Sequence, residues 1–491
     1  MLPFKSIIEI DKHQKSPVYL QIVNSIIREI NSGRIATGQK LPGSREMAGL
    51  LNLNRKTVIM AYDELMAQGW VETHPSRGSF ISTELPKVNY QKIQPETRQK
   101  GQPALEKCGF PIVSNRYLEA PVYAEHSMLE IDEGSPDERL APIEDLYRYC
   151  KAIARSKAGR KLLKYHDVQG EISFRKSLSK YLSETRGLHY PDENIFITRG
   201  SQMAIYLIFN TLVKKHDNVI VGASNYGAAN AVIKNLEANL LKVPVDDNGI
   251  VVSAIEEACQ RTNVRAVYIT PHHHFPTTVT LSAQRRIELL KLAEKYRFVI
   301  LEDDYDYDYH YSSSPILPLA SLDHQGLVIY VGAFSKLLAP SIRIGYLAAP
   351  MPLIRELRKL RKIIDRQGDP IMEKALGEMI REGELQRHLK KSVRIYKERR
   401  DLFCRLLQEN LGDHVDFKVP AGGMVVWTRF GKHIDLAELA QALKRKKIFI
   451  GIQKDFVLEH NAIRFGFASL NEREIYQSIA SLKETLEELV G

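Results

Sequence analysis

The chain has 491 residues, 44% of them hydrophobic and 26% charged, which at roughly 100–200 residues per domain means two to four domains with room for large cores. Lysine and arginine exceed the acidic residues by 10, a balance that admits a polyanionic partner and excludes a basic coat. The four cysteines (Cys108, Cys150, Cys259, Cys404) are far apart with no CxxC pair, the opening MLPFKSIIEIDKH lacks a signal peptide's apolar core, and no uncharged run nears a membrane span. Disulfide frameworks, zinc ribbons and spanning helices are therefore excluded, and a soluble cytoplasmic protein is expected.

Residues 17 to 80 read as a unit of their own. PVYLQIVNSIIREINSG sets Leu20, Val23, Ile27 and Ile30 at helical spacing and stops at Gly33. LPGSREMAGLL begins a second helix with Ser44 as N-cap. A third follows in NLNRKTVIMAYDELMAQG, with Asn54 as cap, Val58, Tyr62 and Leu65 on the buried face and Gly69 as terminator. WVETHPSRGSFIS then alternates apolar and polar positions around a turn, the pattern of a short hairpin. Three helices and a hairpin make a mainly α winged helix-turn-helix domain over residues 1–83.

From Glu84 to Arg116 the sequence is polar and rich in proline with no sustained period, which reads as a flexible linker over 84–116. Residues 117–491 then alternate short apolar strands (NIFITRG, NVIVGAS, RAVYIT, FVILEDD, LVIYVGAFSK) with amphipathic helices, one from Ser201 and one over Ala283 to Lys295. That alternation predicts an α/β domain built on a mostly parallel sheet covered on both faces. From roughly residue 350 the pattern is helix-rich and then mixed, consistent with a smaller α+β lobe over 350–491.

Two regions carry chemistry. Asn54, Arg55, Lys56 and Thr57 crowd donors onto a helix start, where backbone N–H groups also favour phosphate, with Arg45 on the helix before and Arg77 beside Gly78 at the hairpin tip. Spacing alone fits an ordinary solvated face equally well. In the large domain a strand end carries Ser335 and Lys336, with Arg343 seven residues on. A lysine in an apolar setting suits Schiff-base chemistry, and an arginine nearby can take a phosphate; alone, a snorkelling surface lysine fits too. Upstream, a buried strand ends in Glu302, Asp303, Asp304 and Tyr305, at the edge where ligands of open α/β sheets bind. Gly200, Ser201 and Gln202 open a helix whose amides form an anion site.

Residues 41–81 resemble the winged-helix DNA-binding domain of GntR-type bacterial regulators, including the LP-S-R entry and the R-x-T recognition start. The large domain resembles the fold-type I pyridoxal-phosphate enzymes of the aspartate aminotransferase class. The two in this order resemble the MocR family of regulators, over residues 17 to 83 and about 116 to 491. The resemblance implies pyridoxal 5'-phosphate as cofactor, with Lys336 its Schiff-base and catalytic lysine, Asp303 at the pyridine nitrogen and Tyr305 at the phenolic oxygen. It further implies that Ser201, Gln202 and Arg343 hold the phosphate, Tyr226 stacks on the ring, and Arg464 binds an effector carboxylate. A homodimer is implied as well, with Tyr165 reaching the partner's phosphate site.

Some positions depart from that pattern. Ala333 stands where a serine or threonine phosphate ligand is usual, and Phe275 precedes Pro276 where aminotransferases carry asparagine. Ala228 stands near where some members that bind acidic effectors use arginine. No metal is expected at His272, His273 and His274, because adjacent residues on a strand point alternately, and Asp304 to Tyr311 read as a twisted strand end with tyrosines packed on one side. The expected function is a transcription regulator that binds operator DNA and senses an amine, an amino acid or the cofactor itself. The alternatives are a working aminotransferase with a DNA-binding head and a DNA-binding protein whose large domain holds no cofactor.

Overall fold

The structure is a computed structural model and describes residues 4–11, 16–86, 108, 110–115, 117–118, 128–311 and 316–490. The expected linker falls largely outside the described residues. Backbone contacts divide the chain into two units, Met1–Ile112 and Val113–Gly491.

In the first unit, helices α1 (Val18–Asn31), α2 (Ser44–Leu51) and α3 (Arg55–Ala67) precede an antiparallel hairpin of β1 (Val71–His74) and β2 (Gly78–Ile81). Ile22, Ile26, Val58, Tyr62, Leu65 and Trp70 form its core, and the Tyr62 hydroxyl donates to the Pro42 carbonyl at 2.8 Å. Two local expectations need correction. The buried stripe of α1 is rotated: Ile22 and Ile26 join Val23 and Ile30, while Leu20 and Ile27 are only half-buried. The N-cap of α2 is Gly43, in the extended conformation a cap needs (φ −62°, ψ 155°), and Ser44 is the first helical residue. Asn54 does cap α3, its side chain accepting from the Lys56 N–H at 2.9 Å.

The second unit is built on seven strands: β3 (Ile195–Thr198), β4 (Asn218–Gly222), β5 (Asn239–Val243), β6 (Val264–Ile269), β7 (Val299–Asp303), β8 (Val328–Ala333) and β9 (Gly345–Ala348). Their spatial order is β3-β9-β8-β7-β6-β4-β5, and only β9 runs antiparallel to its neighbours. Alternate residues feed two separate cores. Phe196, Val219, Tyr268, Leu301 and Val331 face one, while Ile197, Ile220, Val267, Ile300 and Tyr330 face the other. A strand buried on both faces reads as a continuous apolar run because neither set of side chains meets water.

A smaller antiparallel sheet follows, of β10 (Val415–Phe417), β11 (Val425–Phe430) and β12 (Ala462–Gly466). Strand Leu129–Ile131, absent from the sequence reading, pairs in parallel with Ile448–Ile450 and so adds residues from before the large sheet to this lobe. The expected strand end over Asp304–Tyr311 is instead a turn over Tyr305–Asp308 followed by a single antiparallel bridge from His310 to Gly422, since β7 stops at Asp303. Tyr307, Tyr309 and Tyr311 are buried there nonetheless. Among the described residues no helix is long and apolar enough to cross a membrane.

Candidate functional site

Strands β7 and β8 are parallel neighbours, so their carboxyl ends, apolar until the last residues, deliver Asp303 and Lys336 to the same edge of the sheet. A cavity of about 240 Å³ opens there, and its lining includes Ser201, Tyr226, Asp303, Tyr305, Lys336 and Arg464. Gln202 and Arg343 are not in the lining but adjoin it. The Gln202 amide donates to the Tyr226 hydroxyl at 2.8 Å. Arg343 donates to the Arg199 carbonyl at 2.9 Å, at the start of helix α4 (Ser201–Leu212). Gly200 has φ +80°, and a Cβ there would lie 2.8 Å from the Arg343 guanidinium. Glycine is what lets that cation close on the helix N-terminus, where free N–H groups already attract anions.

Asp303 is buried. Its Oδ2 accepts from the Tyr268 hydroxyl at 2.7 Å, while Oδ1 is enclosed with no partner. Burial pushes its carboxyl up to about 7, against the lowering effect of the Tyr268 hydrogen bond. Lys336 donates to the Gly134 carbonyl at 2.5 Å, and loss of water holds its amine below the ordinary lysine value, opposed by Asp132 and Asp306. The Tyr305 hydroxyl, raised by burial, donates to the His273 carbonyl at 3.0 Å. Arg464, 3% exposed, gives one N–H to the Pro276 carbonyl at 2.7 Å and lies 4.2 Å from the centre of the Phe275 ring. Its Nε is buried without a partner. Phe275 meets the Tyr226 ring edge-on at 5.2 Å.

Three contributions escape sequence reasoning. Tyr268 reads as one more aromatic in an apolar strand, and only its polar hydroxyl hints otherwise. Glu133, Gly134 and Ser135 follow a three-residue strand that no periodicity marks. Lys40, whose side chain reaches within 3.2 Å of a Cβ placed on Gly78, adds a cation to the hairpin tip. The three histidines take separate partners: His272 lies 3.0 Å from Asp304, His273 lies 2.8 Å from Asp306, and His274 bonds Thr277 at 3.0 Å. Ala228 lines a different, apolar cavity with Ile205, Tyr206 and Val232. Tyr165 is exposed, with the Arg366 guanidinium 4.0 Å over its ring.

In the first unit Asn54, Arg55 and Lys56 are exposed at the start of α3, with Thr57 half-exposed beside them. Arg55 bonds the Ser44 hydroxyl at 3.3 Å. Arg45, Arg77 and Gly78 are exposed too, and Gly78 takes φ +100° to turn the hairpin.

Comparison with known proteins assigns both units. The family model "Aminotransferase class I and II" matches residues 138–482, and "Bacterial regulatory proteins, gntR family" matches residues 18–81. The chain is 30% identical to aromatic-amino-acid aminotransferase 1 of Thermococcus litoralis, over 74% of this chain and 88% of that one. It is 26% identical to the probable rhizopine catabolism regulatory protein MocR of Rhizobium meliloti, over 96% and 94%. The crystal structure of Pyrococcus horikoshii kynurenine aminotransferase superposes with a TM-score of 0.68 at 30% identity, covering 74% of this chain and 91% of that one.

Aminotransferases of this class work with pyridoxal 5'-phosphate, and the residues present fit it. The unpartnered Asp303 Oδ1 suits a protonated ring nitrogen, the desolvated Lys336 amine suits its aldehyde, and the Gly200 cradle beside Arg343 suits its phosphate. The chain therefore belongs to the aminotransferase class I and II family and carries in front the DNA-binding region of the gntR family, which makes it a pyridoxal-phosphate-dependent transcription regulator of the MocR type.

Proposed function

We propose that the large unit of this regulator senses an amine or amino acid at the Lys336 cavity and passes its occupancy to operator binding by the winged helix. The observation that carries this reading is the pairing, in one cavity, of a desolvated lysine amine with an arginine whose buried Nε has no partner. When bound, pyridoxal phosphate supplies an electrophilic carbon that exchanges one amine for another. This chain's residues do the rest. Ser201, Gln202 and Arg343 hold the phosphate end at the α4 N-terminus, Asp303 holds a proton on the ring nitrogen, and Tyr226 and Phe275 wall the ring from water. Tyr305 sets the phenolic oxygen. Arg464 orients an incoming carboxylate, and Lys336, once displaced, has the Gly134 carbonyl within reach as an acceptor.

On the DNA side, Arg45, Asn54, Arg55, Lys56, Thr57, Arg77 and Gly78 form the contact surface, with α3 presented to the major groove. The protein acts in the cytoplasm as a homodimer, because paired heads gain effective concentration on paired half-sites. A signal passes only if the effector prefers one arrangement of the dimer.

The test is titration of the full-length, cofactor-loaded protein with amino acids while visible absorption and operator affinity are followed together. Coupled changes support sensing. Turnover of an amino donor with a keto acid, without any change in operator affinity, would instead establish an enzyme with a DNA-binding head.

A further inference from the structure

We propose that Glu133 makes this cavity selective for an amino acid whose side chain carries a positive charge. The inference rests on the sensing function proposed above and names the effector class for the same site. Glu133 lines the cavity together with Lys336 and Arg464. Both of its carboxylate oxygens accept from one neutral donor, the Gln453 amide, at 2.7 and 2.6 Å. An ionised carboxylate offers about four acceptor positions, so two remain open. Among the described residues no lysine or arginine forms an ion pair with it. Asp132 next door is spent differently, its Oδ1 accepting from the Gly134 and Ser135 amides.

Glu133 is among the charges that act on Lys336 and Tyr226, after Asp132 and Asp306 at the lysine and after Asp303 at the tyrosine. Lys336 is not its standing counter-ion, because the amine is held by the Gly134 carbonyl and would carry the cofactor in the loaded protein. Arg464, with its unpartnered buried Nε, supplies the opposite preference in the same space. A ligand that satisfies both needs a carboxylate and a cation besides the amine that meets the cofactor. Tyr226 and Phe275 offer the apolar surface that an aliphatic stem between those charges would cover. A neutral side chain leaves Glu133 unanswered, and an acidic one meets it with like charge.

The experiment titrates the full-length, cofactor-loaded protein with L-lysine, L-norleucine and L-glutamate, reading binding from visible absorption and from titration calorimetry. L-lysine should bind at least tenfold more tightly than its uncharged counterpart L-norleucine, with L-glutamate weakest. Glu133→Gln should bring lysine and norleucine to within about threefold of each other, and Glu133→Lys should turn the preference toward glutamate. Equal wild-type affinity for lysine and norleucine, or a lysine preference that survives Glu133→Gln, overturns the assignment. If amino acids bind but without that preference, only the role of Glu133 falls; if none perturbs the bound cofactor, the sensing function itself falls and takes this inference with it.

Discussion

A primary amine attacks a carbonyl only when unprotonated, and Lys336 is moved toward that form chiefly by losing water, against the pull of Asp132 and Asp306. Lys336→Ala should abolish the borohydride-reducible adduct with pyridoxal phosphate, read by intact mass; an adduct of the same stoichiometry in that variant would assign the cofactor to another lysine. Tyr268→Phe removes the hydrogen bond to Asp303 and leaves both carboxylate oxygens bare. That hydrogen bond favours the ionised carboxylate against burial, the form that pairs with a protonated ring nitrogen, so cofactor affinity should drop, measured by equilibrium dialysis, and an unchanged affinity would show that Tyr268 does not act through Asp303. Asp303, Glu302 and Glu373 are each raised by burial to about 7. A carboxyl whose folded pKa exceeds its unfolded one stabilises the fold fully below the unfolded value and loses that contribution as pH rises through the folded value. Between about pH 4 and 7 that loss is opposed by the buried histidines His274 and His310, lowered to about 3 and 4, so the clean reading is the difference between Asp303→Asn and wild type, both cofactor-free, whose thermal stabilities in scanning calorimetry should shift in favour of the variant as pH rises across this range. Asp137 and Glu474, whose pKa values are lowered, act in the opposite sense and only at the acid end of that range. An identical slope in the variant would show that Asp303 does not titrate there.

Among the elements, α3 carries the clearest test. Asn54→Ala deletes the cap on the Lys56 N–H and should cost about 0.5–2 kcal/mol of the first unit's stability, visible as an earlier first transition in urea. Arg55→Ala should weaken operator binding by about 1–3 kcal/mol if the side chain reads a base, and wild-type affinity should fall steeply with salt. Unchanged affinity would move recognition to another face. This helix was legible because its cap, stripe and terminator agree, and the parallel strands were legible because burial on both faces leaves an uninterrupted apolar run. The face of α1 was not, since Ile26 and Ile27 stand side by side and a 3.6-residue period fits either. Strand Leu129–Ile131 is three residues long and its partner lies more than 300 residues away, so no local pattern could mark it. Within the site, strand-end positions exposed Asp303 and Lys336, whereas Tyr268 and Glu133 owe their places to packing between distant segments.

For the whole molecule, that same distant pairing fixes a schedule of manufacture. The winged helix is complete once Ile81 has been made, whereas Leu129–Ile131 has no partner until Ile450 is added, roughly 370 residues later. At about 5–20 residues per second of synthesis, a growing chain spends roughly 20–70 s with a finished DNA-binding head and an unfinished cofactor domain. Glu133 and Gly134 hang from that unpaired strand, and Arg464 has not yet been added. Ribosome-stalled chains ending near residue 440 should therefore bind operator DNA yet fail to retain pyridoxal phosphate after gel filtration, while released full-length chains do both. Retention by the shorter chains would mean that the pocket holds its cofactor before Arg464 and the last strand have been added.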